Sequence, residues 1–165
     1  MAEKPLVGII IGSDSDLEVM RRAAATLEEL QVPYELRLAS AHRTPEKVRA
    51  YAEEAAPRGI QVLICAAGLA AHLAGTVAAH TDLPVIGVPM AGGVADGLDA
   101  LLSTVQMPSG VPVGTVAVGR AGATNAALLA ARIIALRDEA VRGRLAQYRR
   151  KMQDAVEAKD TELGT

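Results

Sequence analysis

The chain has 165 residues, 50% of them hydrophobic but only 2% aromatic, with three Tyr and no Phe or Trp. The net charge of −2 and the shortage of stacking side chains argue against a nucleic-acid-binding protein. A lone cysteine, Cys65, excludes a disulfide framework and a multi-cysteine metal site, and it fits a reducing cytoplasm. The length predicts one domain over residues 1–165. The first apolar run, which ends at Gly12, is too short to span a membrane, so we expect no membrane partner.

The chain begins with a predicted strand, helix and strand. Residues 6–11 (LVGIII) form a continuous apolar run that is typical of a strand buried on both faces. Ser15 and Glu18 have the spacing of a capping box, and apolar residues then recur at helical spacing to about residue 31. A proline follows, and the second strand is predicted over residues 34–39.

The same alternation continues along the chain. Strands are predicted over 60–66, 83–88 and 113–118, and helices over 45–57, from 70–73 onward, and over 98–106, 122–136 and 138–159. We therefore expect an α/β fold with three layers, a doubly wound parallel sheet of five strands that is flavodoxin-like or Rossmann-like. Its core covers about residues 6–137, and the segment 138–159 is a C-terminal amphipathic helix.

Residues 40–45 (SAHRTP) lie where the second strand leads into the second helix. Thr44 is a predicted N-cap, and Pro45 suits the first turn because a donor there would be unpaired. The free N–H groups of that turn, with Arg43 beside them, favour an anion. Histidine titrates near neutral pH, so His42 could move a proton. The other interpretation is an exposed histidine beside a solvated arginine.

Two further loops carry candidate site residues. Ser13 and Asp16 follow the first strand and could bind a phosphate and a sugar diol, although residues 15 and 16 could instead only cap the helix. His72 follows the third strand and is either a second imidazole of the site or a structural residue that caps a helix. Because the carboxyl ends of parallel strands meet at one edge of a sheet, we expect these loops to lie together.

Several function classes can be excluded from the sequence. A receiver domain needs an aspartate after the third strand, where this chain has CAAG at residues 65–68. There is no Walker A sequence, no glycine triplet after the first strand and no nucleophile elbow. A flavin site would need aromatic side chains that the chain does not offer. The three histidines are scattered and lack the spacing of metal ligands, so we expect no metal site.

Six motifs occur in order and together resemble one family. They are GSDSD (12–16), SAHRTP (40–45), AGLAAHLAG (67–75), PVIGVP (84–89), VQMPSG (105–110) and NAAL (125–128). Over about residues 7–137 the chain closely resembles the PurE family of N5-carboxyaminoimidazole ribonucleotide mutases, class I. Two positions depart from the motif, because Leu69 and Ala74 stand where glycine and proline are expected. The loop 90–96 is also richer in glycine than usual and receives no role.

The resemblance implies a reaction that moves a carboxylate from the exocyclic nitrogen of an aminoimidazole ribonucleotide (AIR) to ring carbon C4. It implies no metal, ATP or organic cofactor. By resemblance, the phosphate and ribose are bound by Ser13, Asp16, Ser40 and Arg43, with Asp16 on the ribose diol. The imidazole and carboxylate lie against Ala67, Gly68, His72 and Leu73. His42 is the general acid and base.

Two other functions remain open at this stage. One is direct carboxylation of AIR with CO₂, the reaction of a related branch whose third-loop sequence differs. The other is a non-catalytic nucleotide-binding module that kept the fold. The resemblance further implies a small-molecule substrate and a homo-octamer, in which the C-terminal helix and the alanine-rich helix have surfaces to cover. We expect the protein in the cytoplasm.

Overall fold

The computed structural model describes residues 4–164 and alternates strands with helices. The elements in chain order are β1 (Val7–Ile11), α1 (Leu17–Glu29), β2 (Tyr34–Leu38), α2 (Pro45–Ala55), β3 (Val62–Ala67), α3 (Leu73–Ala78), β4 (Val85–Pro89), α4 (Leu98–Val105), β5 (Gly114–Thr115), α5 (Gly119–Ile134) and α6 (Glu139–Leu163). Short turns of 3-10 helix lie at Asp14–Asp16 and Val94–Asp96.

The strands form one sheet in the order β2-β1-β3-β4-β5, and all neighbouring pairs are parallel. Ile9 lies opposite Leu36 on one side and Ile64 on the other. The strand order reverses direction around β1 and β3, which is the place where ligands bind in sheets of this kind. The prediction of a doubly wound five-stranded parallel sheet is confirmed.

Alternate residues of the inner strands supply two cores, one on each face of the sheet. Ile9 and Ile64 pack with α1 and α5 in the larger core, whereas Ile10 and Cys65 pack with α2 and α3 in the smaller one. Since side chains of a strand point to opposite faces in turn, both sets must be apolar, which explains the uninterrupted apolar runs of β1 and β3. Burial raises the pKa of the Cys65 thiol, and the side chain is part of the core.

Small side chains let α5 approach the sheet and α1 closely. Its alanines at positions 123, 126, 127, 130 and 131 are completely buried. Gly122 is required at the start of this face, because a Cβ there would stand 1.7 Å from the carbonyl oxygen of Ala117. The lack of large aromatic residues is therefore matched by close backbone packing.

Most predicted boundaries lie within two residues of the structure, and three differ in a way that needs comment. The fifth strand, expected over 113–118, contains only Gly114 and Thr115, although Val116 N still donates to Gly87 O at 3.1 Å. As an edge strand it needs few ladder bonds. The helix α5 begins three residues earlier than predicted. The C-terminal helix extends to Leu163 rather than to about residue 159.

Two predicted caps do not form as expected. Ser15 and Glu18 make no capping box, since the side chain of Ser13 instead accepts from Ser15 N at 3.4 Å and caps the preceding turn. Thr44 makes no side-chain cap on α2, because its hydroxyl bonds back to Ser40. In both places the side chains bond within the loop rather than to the helix, so loop geometry takes precedence over helix capping.

The helix α6 packs against α5 through its first half. Asp138 caps it by accepting from Val141 N at 3.0 Å, and Val141 is buried. Further along, Met152 and Val156 are 49% and 68% exposed. Among residues 4–164, no helix is both long enough and apolar enough to cross a membrane.

Candidate active site

The loops that follow β1, β2, β3 and β4 surround a cavity of about 510 Å³. All nine predicted site residues line it, namely Ser13, Asp16, Ser40, His42, Arg43, Ala67, Gly68, His72 and Leu73. We divide the cavity into a β1/β2 side, formed by the lining residues of segments 12–16 and 40–43, and a β3/β4 side, formed by those of segments 67–73 and 90–91. The sheet order places these two sides next to each other, with β1 beside β3.

The loop after β1 holds its polar side chains in a short network. Ser15 Oγ lies 2.9 Å from Ser13 Oγ and 3.4 Å from Asp16 Oδ1. Asp16 occupies the N-cap position of α1, but its side chain makes no capping bond there. Asp16 is thus at the N-cap position without a side-chain cap, and it is one of the residues that line the cavity.

Burial raises the pKa of the Asp16 carboxyl, and the nearby negative charge of Asp14 acts in the same direction. Hydrogen bonds from Ser15 and from the backbone of Ser13 oppose this shift but do not cancel it. The side chain is 8% exposed by surface area. A carboxylate in this position has been partly stripped of water, so a ligand that donates hydroxyl hydrogen bonds would stabilise its charged form.

The loop after β2 is fixed by hydrogen bonds between its two ends. Ser40 N donates to Thr44 Oγ1 at 2.9 Å, and Thr44 N donates to Ser40 O at 2.8 Å. Arg43 N donates to Ser40 Oγ at 3.2 Å. These bonds close residues 40–44 into a turn, and the turn sets the positions from which His42 and Arg43 extend into the cavity.

Arg43 joins the first two loops. Its Nη2 donates to the carbonyl oxygen of Gly12 at 3.1 Å. Within residues 4–164 it makes no ion pair with a carboxylate, unlike Arg37 and Arg49, which pair with glutamates. A guanidinium that is held by one carbonyl and has no carboxylate partner retains donors for an anion.

His42 and His72 contact each other across the cavity. His42 Nε2 lies 2.7 Å from His72 Nδ1, and the two rings meet edge to face with centroids 4.9 Å apart. At this distance one ring nitrogen donates and the other accepts, so the pair holds one proton between them. His72 occupies the N-cap position of α3, as one of the two interpretations expected, but its side chain makes no capping bond there and contacts His42 instead.

The loop after β3 is built from small residues and an unusual backbone. Leu69 has a φ of 56°, in the left-handed region, which costs an L-residue roughly 1–2 kcal/mol. Glycine adopts this conformation without that cost, which explains why the motif is expected to carry glycine at the position of Leu69. Ala74 lies in the first turn of α3, where proline would also fit, so this second departure leaves the helix start unchanged.

The lining includes residues that the sequence analysis missed. Met90 and Ala91 follow β4, and Gly12, Ser15, Ala41, Leu69 and Ala70 complete the set. Met90 N donates to Ala67 O at 2.9 Å, so the start of the 90–96 loop is anchored to the loop after β3. A signal for Met90 existed, because it directly follows a buried strand at the carboxyl edge of the sheet.

Comparison with known proteins identifies the family. A family model described as AIR carboxylase matches residues 6–155. The chain belongs to the AIR carboxylase family. N5-carboxyaminoimidazole ribonucleotide mutase of Mycobacterium tuberculosis is 55% identical to it over 161 residues, which cover 98% of this chain and 91% of the relative. The enzyme of the same name from Pyrococcus horikoshii is 55% identical over 162 residues, with 98% and 90% covered.

A solved structure of similar fold supports the same family assignment. The crystal structure of Treponema denticola PurE has a TM-score of 0.88 and 31% identity, and the match covers 98% of this chain and 99% of that one. The predicted resemblance to the PurE family is thus confirmed. Within residues 4–164 no group of three or more His, Cys, Asp or Glu side chains could hold a metal ion.

Proposed function

We propose that this protein is an N5-carboxyaminoimidazole ribonucleotide mutase of purine biosynthesis. The contact of His42 with His72 carries the proposal. It places an acid–base group where the polar loops after β1 and β2 meet the loop of small residues after β3. Relatives that are 55% identical over nearly the whole chain bear this name. The reaction class is isomerisation, and the proposed reaction uses no metal, ATP or organic cofactor.

The β1/β2 side suits the ribose phosphate. Arg43 retains guanidinium donors for a phosphate, and the hydroxyls of Ser13 and Ser40 lie in the same lining. The partly desolvated carboxylate of Asp16 is suited to accept from the two adjacent hydroxyls of a ribose. We therefore assign the phosphate to Ser13, Ser40 and Arg43, and the ribose diol to Asp16.

The histidine pair suits the two proton transfers. When the N5–carboxylate bond breaks, CO₂ leaves and the nitrogen takes up a proton, which gives AIR. When C4 then attacks CO₂, a new carbon–carbon bond forms and C4 loses its proton. His42 is assigned both transfers, as acid in the first and base in the second. His72 supports it, since its ring nitrogen lies 2.7 Å from that of His42 and can take or return a proton.

The β3/β4 side suits the imidazole and its carboxylate. Ala67 and Gly68 carry no polar side-chain atoms, and Leu73 is 1% exposed. A small apolar enclosure would keep CO₂ near C4 and exclude water between the two steps. We assign Ala67, Gly68, His72 and Leu73 to this part of the substrate.

Direct carboxylation of AIR is the second candidate, and the description of the family model names that reaction. The names of the relatives favour the mutase. Supplying the purified protein in parallel with N5-carboxyaminoimidazole ribonucleotide, and with AIR plus bicarbonate, separates the two. Rapid formation of the C4-carboxylated product from the first substrate supports the mutase. Turnover of AIR and bicarbonate alone would contradict it, and binding without turnover of either would indicate a non-catalytic module.

The assembly that we propose is a homo-octamer in the cytoplasm, without nucleic-acid or membrane partners. A groove of about 600 Å³ between α5 and α6 supports an interface, since it is lined by Leu128, Leu136, Leu145 and Met152 together with arginines. Leu136 is 77% exposed. Light scattering of the purified protein should give a mass about eight times that of the 17.1 kDa chain. A stable monomer would contradict the octamer.

A further inference from the structure

Leu69 is the bulky side chain on the loop that joins β3 to α3 at the cavity. Its neighbours in the lining, Gly68 and Ala70, are small, whereas Leu69 is a lining residue that remains 63% exposed. An exposed leucine at the mouth of a cavity is available to be covered when a ligand fills that cavity. Leu69 therefore differs from Leu73, which is already buried in the core.

The backbone fixes Leu69 in an uncommon conformation. Its φ is 56°, and two tight turns follow, in which Ala71 N donates to Leu69 O at 2.9 Å and His72 N donates to Ala70 O at 2.8 Å. Such a left-handed backbone in a leucine persists only where the surroundings hold it, and such positions concentrate at functional sites. The same turns lead directly to His72, so Leu69 and His72 belong to one loop that is held by backbone hydrogen bonds.

The loop after β4 is shaped to receive this leucine. At Gly93, which has a φ of 67°, a Cβ would stand 2.8 Å from Leu69 Cδ2 and 2.4 Å from Asp99 Oδ2. Leu69 thus occupies part of the space that a side chain at position 93 would need. Asp96 and Asp99 brace the loop, since they accept from Gly92 N at 3.0 Å and from Val94 N at 3.2 Å.

We propose that Leu69, seated against Gly93, is an apolar gate on the β3/β4 side of the cavity that retains CO₂ between the two steps. This inference rests on the proposed mutase function and deepens it. The breaking of the N5–carboxylate bond yields CO₂ and AIR, and the same CO₂ either forms the bond to C4 or escapes to solvent. The gate determines that partition, because it closes the cavity without touching a transferred proton.

The test follows the carbon of CO₂. Unlabelled N5-carboxyaminoimidazole ribonucleotide is supplied in the presence of isotopically labelled CO₂, and label in the C4-carboxylated product and free AIR are both measured after subtraction of the enzyme-free decarboxylation. For the wild-type chain we expect little label and little AIR. Leu69→Gly suits the left-handed backbone and should remain folded. Because Gly93 offers no side chain to fill the space that Leu69 vacates in this chain, label incorporation and the AIR share should rise several-fold.

Three further variants separate a gate from a general structural role. Leu69→Met restores an apolar side chain of similar size and should return the partition most of the way to that of the wild type. Gly93→Ala displaces the leucine and should leak in the same way as Leu69→Gly. Leu102→Ala removes a leucine of α4 that is 48% exposed and outside the lining, and it should leave the partition unchanged.

The outcomes distinguish this inference from the function on which it rests. A wild-type chain that forms no C4-carboxylated product would contradict the proposed function and this gate together. A wild-type chain that does form it, beside a folded Leu69→Gly variant whose label incorporation and AIR share equal those of the wild type, contradicts the gate alone. A fall in kcat with an unchanged partition would also overturn the gate, because it would indicate misplacement of His72 rather than loss of CO₂.

Discussion

The two sides of the cavity are held in place by different kinds of contact. On the β1/β2 side, side chains bond to each other and to backbone, as in the Ser13–Ser15 contact and the Arg43–Gly12 contact. On the β3/β4 side, the bonds other than the His72–His42 contact run between backbone groups, and Leu69 has a positive φ. The first side therefore displays polar atoms, and the second displays a shaped apolar surface.

This difference matches two different demands of the proposed reaction. Binding a ribose phosphate needs donors and acceptors at fixed positions, which side-chain networks supply. Retaining CO₂ needs a surface without polar atoms, and such a surface is shaped by backbone turns and small residues. His42 belongs to the first side and His72 to the second, so their contact is where the two demands meet.

The largest effect is expected at that contact. His42→Asn keeps a polar side chain of similar size but cannot take up and return the proton. We expect kcat to fall by roughly 10²- to 10⁴-fold, the usual contribution of a general acid–base group. Steady-state assays with N5-carboxyaminoimidazole ribonucleotide measure this change. An unchanged kcat would remove His42 from the mechanism.

A smaller effect, of a different kind, is expected on the β1/β2 side. Arg43→Ala removes guanidinium donors that we assign to the phosphate, so KM should rise by roughly 10- to 100-fold while kcat changes little, as a charged hydrogen bond is worth about 1.5–3 kcal/mol. The matched control is Arg49→Ala, an exposed arginine of α2 outside the lining. If both variants have the KM of the wild type, the phosphate lies elsewhere.

The smallest effect concerns stability. Folding raises the pKa of Asp16, so the carboxyl ionises more readily in the unfolded chain, and stability falls as the pH rises through its folded pKa. Asp16→Asn should therefore raise Tm by about 1–3 °C at neutral pH, even though it weakens ribose binding. The gain should vanish below the ordinary pKa of 3.8, where the carboxyl is protonated in both states. Thermal melts across this pH range provide the measurement.

A result opposite in sign would be informative about Asp16. If Asp16→Asn lowered Tm at neutral pH, the carboxylate would be stabilising the empty site through its contact with Ser15 rather than being held there at a cost. The comparison between the two sides would then need revision, because the β1/β2 side would be optimised for the fold rather than for a ligand.

Much of the fold follows from the sequence, since uninterrupted apolar runs such as residues 62–66 have few alternatives to a buried parallel strand. The fifth strand was harder to delimit, because Val113 and its neighbours are apolar whether or not they complete a ladder at a sheet edge. Thr44 is the N-cap residue of α2 as predicted, but its side chain makes no capping bond, for a local reason. Its hydroxyl could bond either to a free N–H group of α2 or to Ser40, and the sequence does not indicate that the bond to Ser40 forms.

The candidate site could likewise be predicted from the sequence only in part. Residues in chemically distinctive motifs, such as His42 and Arg43, could be chosen from the sequence, and the structure brings them to one cavity. The shape of the β3/β4 side could not be predicted, because leucine disfavours the backbone that Leu69 adopts. The complementarity between Leu69 and Gly93 involves residues 24 positions apart and depends on a space that only the folded chain creates.

The division of tasks between the two sides is tested most directly by titrating the C4-carboxylated product into His42→Asn and Arg43→Ala in a calorimeter. The account predicts that His42→Asn binds with a Kd close to that of the wild type, whereas Arg43→Ala binds at least several-fold more weakly. A loss of affinity in His42→Asn as large as that in Arg43→Ala would contradict the account, because binding and proton transfer would then depend on the same residue.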